Sequence, residues 1–207
     1  EQEIRTEEKI CSRLDALQIP YQRGVAGHGV CAVIRGTTAD RTVGIRADID
    51  ALPVAEQTEL AYASLNLGVM HACGHDVHGT INVGAAKILS EMKDQFSGSI
   101  YFFIQPAEEI LKGAKLFLND PEIDFDQIDA VAALHISAEL DAGTIGVRYG
   151  AILASSDEVR IRINGKGGHG AHCHTLRDPI VAAAAVVNAL QTLVSRETNP
   201  ANAVVIS

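Results

Sequence analysis

The sequence has no CxxC pair, no internal repeat or low-complexity segment, and no apolar run near the roughly 18–20 residues that a membrane span needs. Each absence excludes something. No stretch reads as a transmembrane helix, so a membrane is not an expected partner. Four scattered cysteines (Cys11, Cys31, Cys73, Cys173) make neither a disulfide framework nor a closed structural zinc site of the usual spacing. A chain of 207 residues can bury its own core without covalent staples. Reduced thiols and a cytoplasmic setting are therefore expected. Positive charge is also short: 17 Lys and Arg against 26 Asp and Glu give a net charge of −9, which argues against nucleic acid as the main partner. No signal peptide is recognisable, but the chain opens at Glu1 rather than Met, which limits what that absence proves.

What is there is a densely functional stretch, Met70-His71-Ala72-Cys73-Gly74-His75-Asp76-Val77-His78. Cys73 and His75 stand two apart, so an extended or tightly turned segment would point both to one side. A thiolate beside an imidazole makes half of a transition-metal site, and the remaining ligands must come from elsewhere.

Hydrophobic spacing supplies candidates. Residues 3–18 read as an amphipathic helix closed by Pro20, followed by a turn-rich connection through Gly24, Gly27 and Gly29 that holds His28 as an exposed loop residue. Val30–Arg35 and Thr42–Ala47 read as strands, the second leading into Asp48 and Asp50. A helix is expected over about 78–93, then a buried apolar strand at Ser99–Gln105 ending at Pro106-Ala107-Glu108-Glu109. A short helix to about Leu118, a strand at Asp129–Leu134 ending at His135, and a strand at Gly143–Arg148 follow. Polar groups gathered at successive strand ends of an α/β layer sandwich point to one site at its carboxyl edge.

From about residue 155 the character changes. Asp157–Asn164 alternates like a strand with one wet face, and a Gly- and His-rich loop at Gly165–His174 follows. Asp178-Pro179 is an N-cap with Pro at the first helical position, and Ala203–Ile206 begins another strand. This reads as a second, α+β domain.

Thiolate, imidazole and carboxylate ligands together suit Zn²⁺, and less strictly Mn²⁺, Co²⁺ or Ni²⁺. In a pair such as Glu108-Glu109 one carboxylate can hold metal while its neighbour moves a proton. Coordination can bring the pKa of water from 15.7 to about 7, and a Glu can then carry its proton to a leaving group. A redox role for Cys73 would leave the two glutamates unexplained.

Four stretches, Asp48-Ile49-Asp50-Ala51-Leu52-Pro53, Met70–Asp76, Gln105–Glu109, and Gly165–His169 followed by Asp178-Pro179, resemble in order and spacing the M20 metallopeptidase family. They match its amidohydrolase branch of hippurate hydrolases, N-acyl-amino-acid deacylases and auxin-conjugate hydrolases. The resemblance implies a catalytic domain whose mostly parallel sheet is sandwiched by helices, interrupted by an inserted α+β lid. Residues 1–153 would begin the former and 154–207 the latter, with both incomplete.

It also implies two divalent ions, Mn²⁺ or Zn²⁺ by preference. Cys73 would bridge them, His75 and His135 would complete one, Glu109 would bind the other, and Glu108 would be the general base. Asp50 would orient a ligand histidine, while Asp48 falls where sister branches have a ligand histidine. His169 would serve the substrate carbonyl or carboxylate. The expected substrates are N-acyl amino acids, with a dipeptidase or aminopeptidase, or a non-catalytic metal-binding homologue or inactive fragment, as alternatives, and the expected assembly is a homodimer through the lid. Three departures stand out. A further metal-ligating histidine expected after the lid is not in this chain, Ile110 replaces a usual Gly, and Cys173 a usual Pro.

Overall fold

The computed structural model describes residues 2–152 and 155–207, which cluster into two compact units, Glu1–Glu139 and Leu140–Ser207. The first is an α/β layer built on a five-stranded mixed sheet. Its elements run α1 (Ile4–Ala16), β1 (Tyr21–Val25), β2 (Gly29–Arg35), β3 (Thr42–Asp48), α2 (His75–Glu91), β4 (Ser99–Gln105), α3 (Gly113–Leu118) and β5 (Ala130–Ala133). The strand order is β1-β2-β4-β3-β5. The sheet is not mostly parallel. β1 with β2 and β2 with β4 are antiparallel, whereas β3 pairs in parallel with both β4 and β5. The antiparallel half arises because β1 and β2 form a hairpin, and β1 lies in the segment whose glycines read as a turn-rich connection. Gly24 and Gly27 do turn, with φ of +76° and +98°, but Gly24 does so inside the strand, at an irregularity in its pairing.

Alternation along the strands sorts two cores. Val30, Ala32 and Ile34 of β2 and Phe102 and Ile104 of β4 face Ile10, Cys11 and Leu14 of α1 and Ala86 of α2. Cys31 and Phe103 face the other way, onto Phe117 of α3 and Ile123. Burial pushes the Cys31 thiol up to about 12, which leaves it an inert core group. At the β5 edge of the sheet all four residues are exposed.

The parallel trio β4-β3-β5 positions the polar residues. Asp48 pairs with Gln105, and Arg46 with Ala133, so the three strands end side by side. Asp50, Glu108, Glu109 and His135 all emerge within a few residues of that carboxyl edge, the usual ligand edge of an open α/β sheet.

In the second unit, Asp178 caps α4 (Pro179–Thr192) as expected, its carboxylate accepting from the Ile180 and Val181 N–H groups at 2.8 and 3.4 Å. The strands expected at Gly143–Arg148, Asp157–Asn164 and Ala203–Ile206 do not form. A strand takes its ladder from a neighbour, and among the described residues of this unit the only strand-like pairing is a single bridge, Lys166 to Arg177. A second expectation also needs correction. α4 continues through a π-helical turn to give Pro179–Glu197, 19 residues with mean hydropathy 1.3, which meets the length and composition of a membrane span. Periodicity missed it because Asn188 and Gln191 break the apolar run. None of that stretch is buried.

Candidate metal centre

Cys73 and His75 do not share an extended segment. Cys73 sits in a turn, Gly74 is the N-cap of α2 with a left-handed φ of +80°, and His75 opens the helix three residues earlier than periodicity suggests. Gly74 suits the position twice over. An L-residue there is strained, and a Cβ would run into the side chain of Ile136, next to His135. Gly74→Ala is expected to cost about 1–3 kcal/mol in chemical denaturation, chiefly from that strain and displacement. An unchanged midpoint would show that the turn accommodates a side chain freely.

His75 is 1% exposed, yet its surroundings are polar. Its Nδ1 lies 3.1 Å from Asp50 Oδ1, and the other Asp50 oxygen accepts the Glu109 backbone N–H at 2.9 Å. Asp50 therefore holds the ring as its Nδ1–H tautomer and ties it to the Glu108-Glu109 turn. That leaves His75 Nε2 with a lone pair and no hydrogen-bond partner, 3.7 Å from Asp48 Oδ1 and 3.8 Å from Glu109 Oε1, the latter also buried and without a hydrogen bond. Two orphaned buried acceptors aimed at one another are unfavourable by themselves and suit a shared cation.

His135 repeats the arrangement on the other side. Its Nδ1 donates to the Ile136 carbonyl at 2.7 Å, leaving Nε2 3.3 Å from Cys73 Sγ. Cys73, His75 and His135 thus offer ligand atoms within 4.8 Å of one another, as do His75, Glu108 and Glu109. Burial, then the charges of Glu109, Glu108 and Asp48, push the Cys73 thiol above its ordinary value. The free site therefore favours a neutral thiol that a cation would have to deprotonate.

Asp48, His75 and His78 also stand within 4.8 Å, but two of the three are already used. His78 Nδ1 lies 2.5 Å from Asp48 Oδ1, and its Nε2 accepts the Ile136 N–H at 2.9 Å. The second Asp48 oxygen accepts from Arg46 Nη1 at 2.7 Å. Burial by itself would raise the Asp48 pKa. The His78 bond and the charge of Arg46 outweigh it and hold Asp48 below the ordinary carboxylate range. Asp48 and His78 are bound to the protein rather than open to a ligand.

The structure thus brings together Asp50, Cys73, His75, Glu108, Glu109 and His135. His169 belongs to the second unit, where it caps the 3₁₀ turn Gly170–Thr175 and its Nδ1 accepts the Ala171 N–H at 3.1 Å. Sequence reasoning missed Arg46 and Gln105, which are joined by a 2.9 Å bond from Arg46 Nε. The available signal was the two-residue strand period that puts Arg46 on the same face as Asp48. It also missed the backbone of the glutamate turn. Ala107 and Leu111 are left-handed (φ +54° and +55°) without being glycine, while Ile110 is not, so no Gly is needed at that departure. His28 is not simply exposed: its Nδ1 lies 3.2 Å from the buried Glu7 carboxylate.

Residues 44–204 match the model of peptidase family M20/M25/M40. The chain belongs to this family. It is 43% identical to the N-acetyl-L-cysteine deacetylase of Bacillus subtilis, over 86% of this chain and 42% of that protein. It is equally 43% identical to the N-acyl-L-amino acid amidohydrolase of Geobacillus stearothermophilus, over 86% of this chain and 48% of that one. The solved structure of Bacillus subtilis YXEP, described as a dinuclear metal binding peptidase from the M20 family, is 40% identical. It superposes with a TM-score of 0.69 over 72% of this chain and 42% of its own. The chain spans about half the length of the curated relatives it matches.

Proposed function

We propose that this chain carries the catalytic half-site of a dinuclear metal-dependent amidohydrolase that cleaves the amide of N-acyl amino acids. The observation that carries this is the pair of buried, partnerless ligand atoms, His75 Nε2 and Glu109 Oε1, beside the Cys73–His135 pair. Cys73 would be shared between two divalent ions, with His75 and His135 on one and Glu109 on the other. Zn²⁺ and Mn²⁺ suit this mixed donor set best. Bound there, the ions would supply Lewis acidity toward water and toward an amide carbonyl.

The chain's own groups would do the rest. Asp50 keeps His75 in the tautomer that presents Nε2, and through the Glu109 N–H fixes the glutamate turn. Glu108, half-buried beside Glu109, takes the proton of the attacking water and returns it to the leaving amine. His169, whose Nδ1 accepts the Ala171 N–H, carries its proton on Nε2, the tautomer that a hydrogen-bond donor to substrate would need. The exposed Ile180, Val181 and Val187 of α4 support pairing of the second unit with its own copy. The need for a reduced Cys73 supports a cytoplasmic setting.

The reading is tested with a panel of N-acyl amino acids and free dipeptides, assayed with and without added divalent metal. Metal-dependent release of free amino acid from the N-acyl compounds is expected. Turnover only where the substrate keeps a free α-amine would make the protein a dipeptidase. No turnover of either class at any metal would overturn the reading.

A further inference from the structure

We propose that His78 is a positioning residue which holds the His135 limb of the metal site in place through the Ile136 backbone N–H. The proposal rests on the metal-site reading above.

The β3 ladder that holds β5 ends at Ala133, two residues short of His135. β5, which delivers it, is an exposed edge strand, and His135 is exposed. The bond from His135 Nδ1 to the Ile136 carbonyl sets the ring against its own backbone without anchoring that backbone to the rest of the fold. The anchor is the Ile136 N–H donated to His78 Nε2 at 2.9 Å, on the first turn of α2.

His78 is itself immobile. It is fully buried at 0% exposure, and its Nδ1–H is held by Asp48. Asp48 is gripped from its other oxygen by Arg46, which also donates to Gln105. The chain Gln105–Arg46–Asp48–His78–Ile136 therefore ties the ends of β3 and β4 to the loop after β5. The His78 ring also lies 4.5 Å, centroid to centroid, from the His135 ring in an edge-on contact. Accepting from a backbone N–H at Nε2 while donating at Nδ1 leaves His78 no lone pair for a cation. It shapes the site without ligating it, as outer-shell partners of metal ligands do.

Two variants separate the ring's two bonds. In H78Q the longer amide places an acceptor near the Nε2 position and can still receive the Ile136 N–H. In H78N the shorter amide can donate to Asp48 but leaves Ile136 unpaired. The probe is Co²⁺ binding to the purified protein, followed by the thiolate-to-cobalt absorption at Cys73. Alongside it, hydrogen exchange of the Ile136 amide is measured in metal-free wild type.

Wild type should bind Co²⁺ and show a protected Ile136 amide. H78N should lose about 10–100-fold in affinity, while H78Q recovers most of it. Equal affinities for both variants, whether both intact or both lost, would overturn the proposal, because packing or direct ligation would then explain His78. An unprotected Ile136 amide in wild type would overturn it without any variant, and so holds even if H78N fails to fold. A protected amide with no Co²⁺ uptake by wild type would sink the metal-site reading while leaving the His78–Ile136 link itself standing.

Discussion

Glu108→Gln is expected to lower turnover of an N-acyl amino acid by about 10²–10⁴-fold while leaving the bound metal nearly unchanged. The amide fills the same space as the carboxylate but cannot accept a proton. The loss should fall on kcat rather than KM, since a proton acceptor acts in the transition state and not in substrate binding. Glu109→Gln should behave differently. Glu109 Oε1 is the buried, partnerless atom facing His75, so its neutralisation should loosen metal and with it activity. If Glu108→Gln loses metal and Glu109→Gln keeps it, the two glutamates have the opposite roles.

Metal removal is the second large effect. Dialysis against a chelator should reduce activity to background and lower thermal stability, and added Zn²⁺ or Mn²⁺ should restore both. A ligand present at 1,000 times its dissociation constant stabilises the native state by about 4.1 kcal/mol. The pH dependence has a definite sign. The metal-free Cys73 thiol is pushed above its ordinary value by burial and the nearby carboxylates, so at neutral pH it holds a proton that the ion must displace. Affinity should therefore rise with pH toward the thiol pKa, with proton release visible as a buffer-dependent heat in calorimetry. Affinity independent of pH between 6 and 8 would show that Cys73 is not displaced from its thiol form by the ion.

Much of this was legible in the sequence because chemistry and periodicity coincide. The strand Ser99–Gln105 falls where its apolar run places it, and Asp48, Gln105 and His135 sit at or just past strand ends that the α/β reading anticipated. What escaped was set by long-range pairing. β1 forms only because β2 lies alongside, so its glycines outweighed its strand character locally. The reverse holds for Asp157–Asn164, whose alternation is that of a strand but which has no ladder partner among the described residues. Within the site, the ligand candidates could be named from residue type, but the contact that keeps His78 from joining them could not. Its exclusion depends on the Ile136 N–H, a backbone donor 58 residues away that no side-chain pattern reveals.

The most direct test is anomalous diffraction from crystals grown with Zn²⁺. Anomalous density is expected among Cys73 Sγ, His75 Nε2, His135 Nε2 and the Glu109 carboxylate, with Zn–S about 2.3 Å and Zn–N about 2.0–2.1 Å. His78 should still be bonded to Asp48 and Ile136. An ion coordinated instead by Asp48 and His78, or no ion among these residues in zinc-saturated crystals, would contradict this assignment.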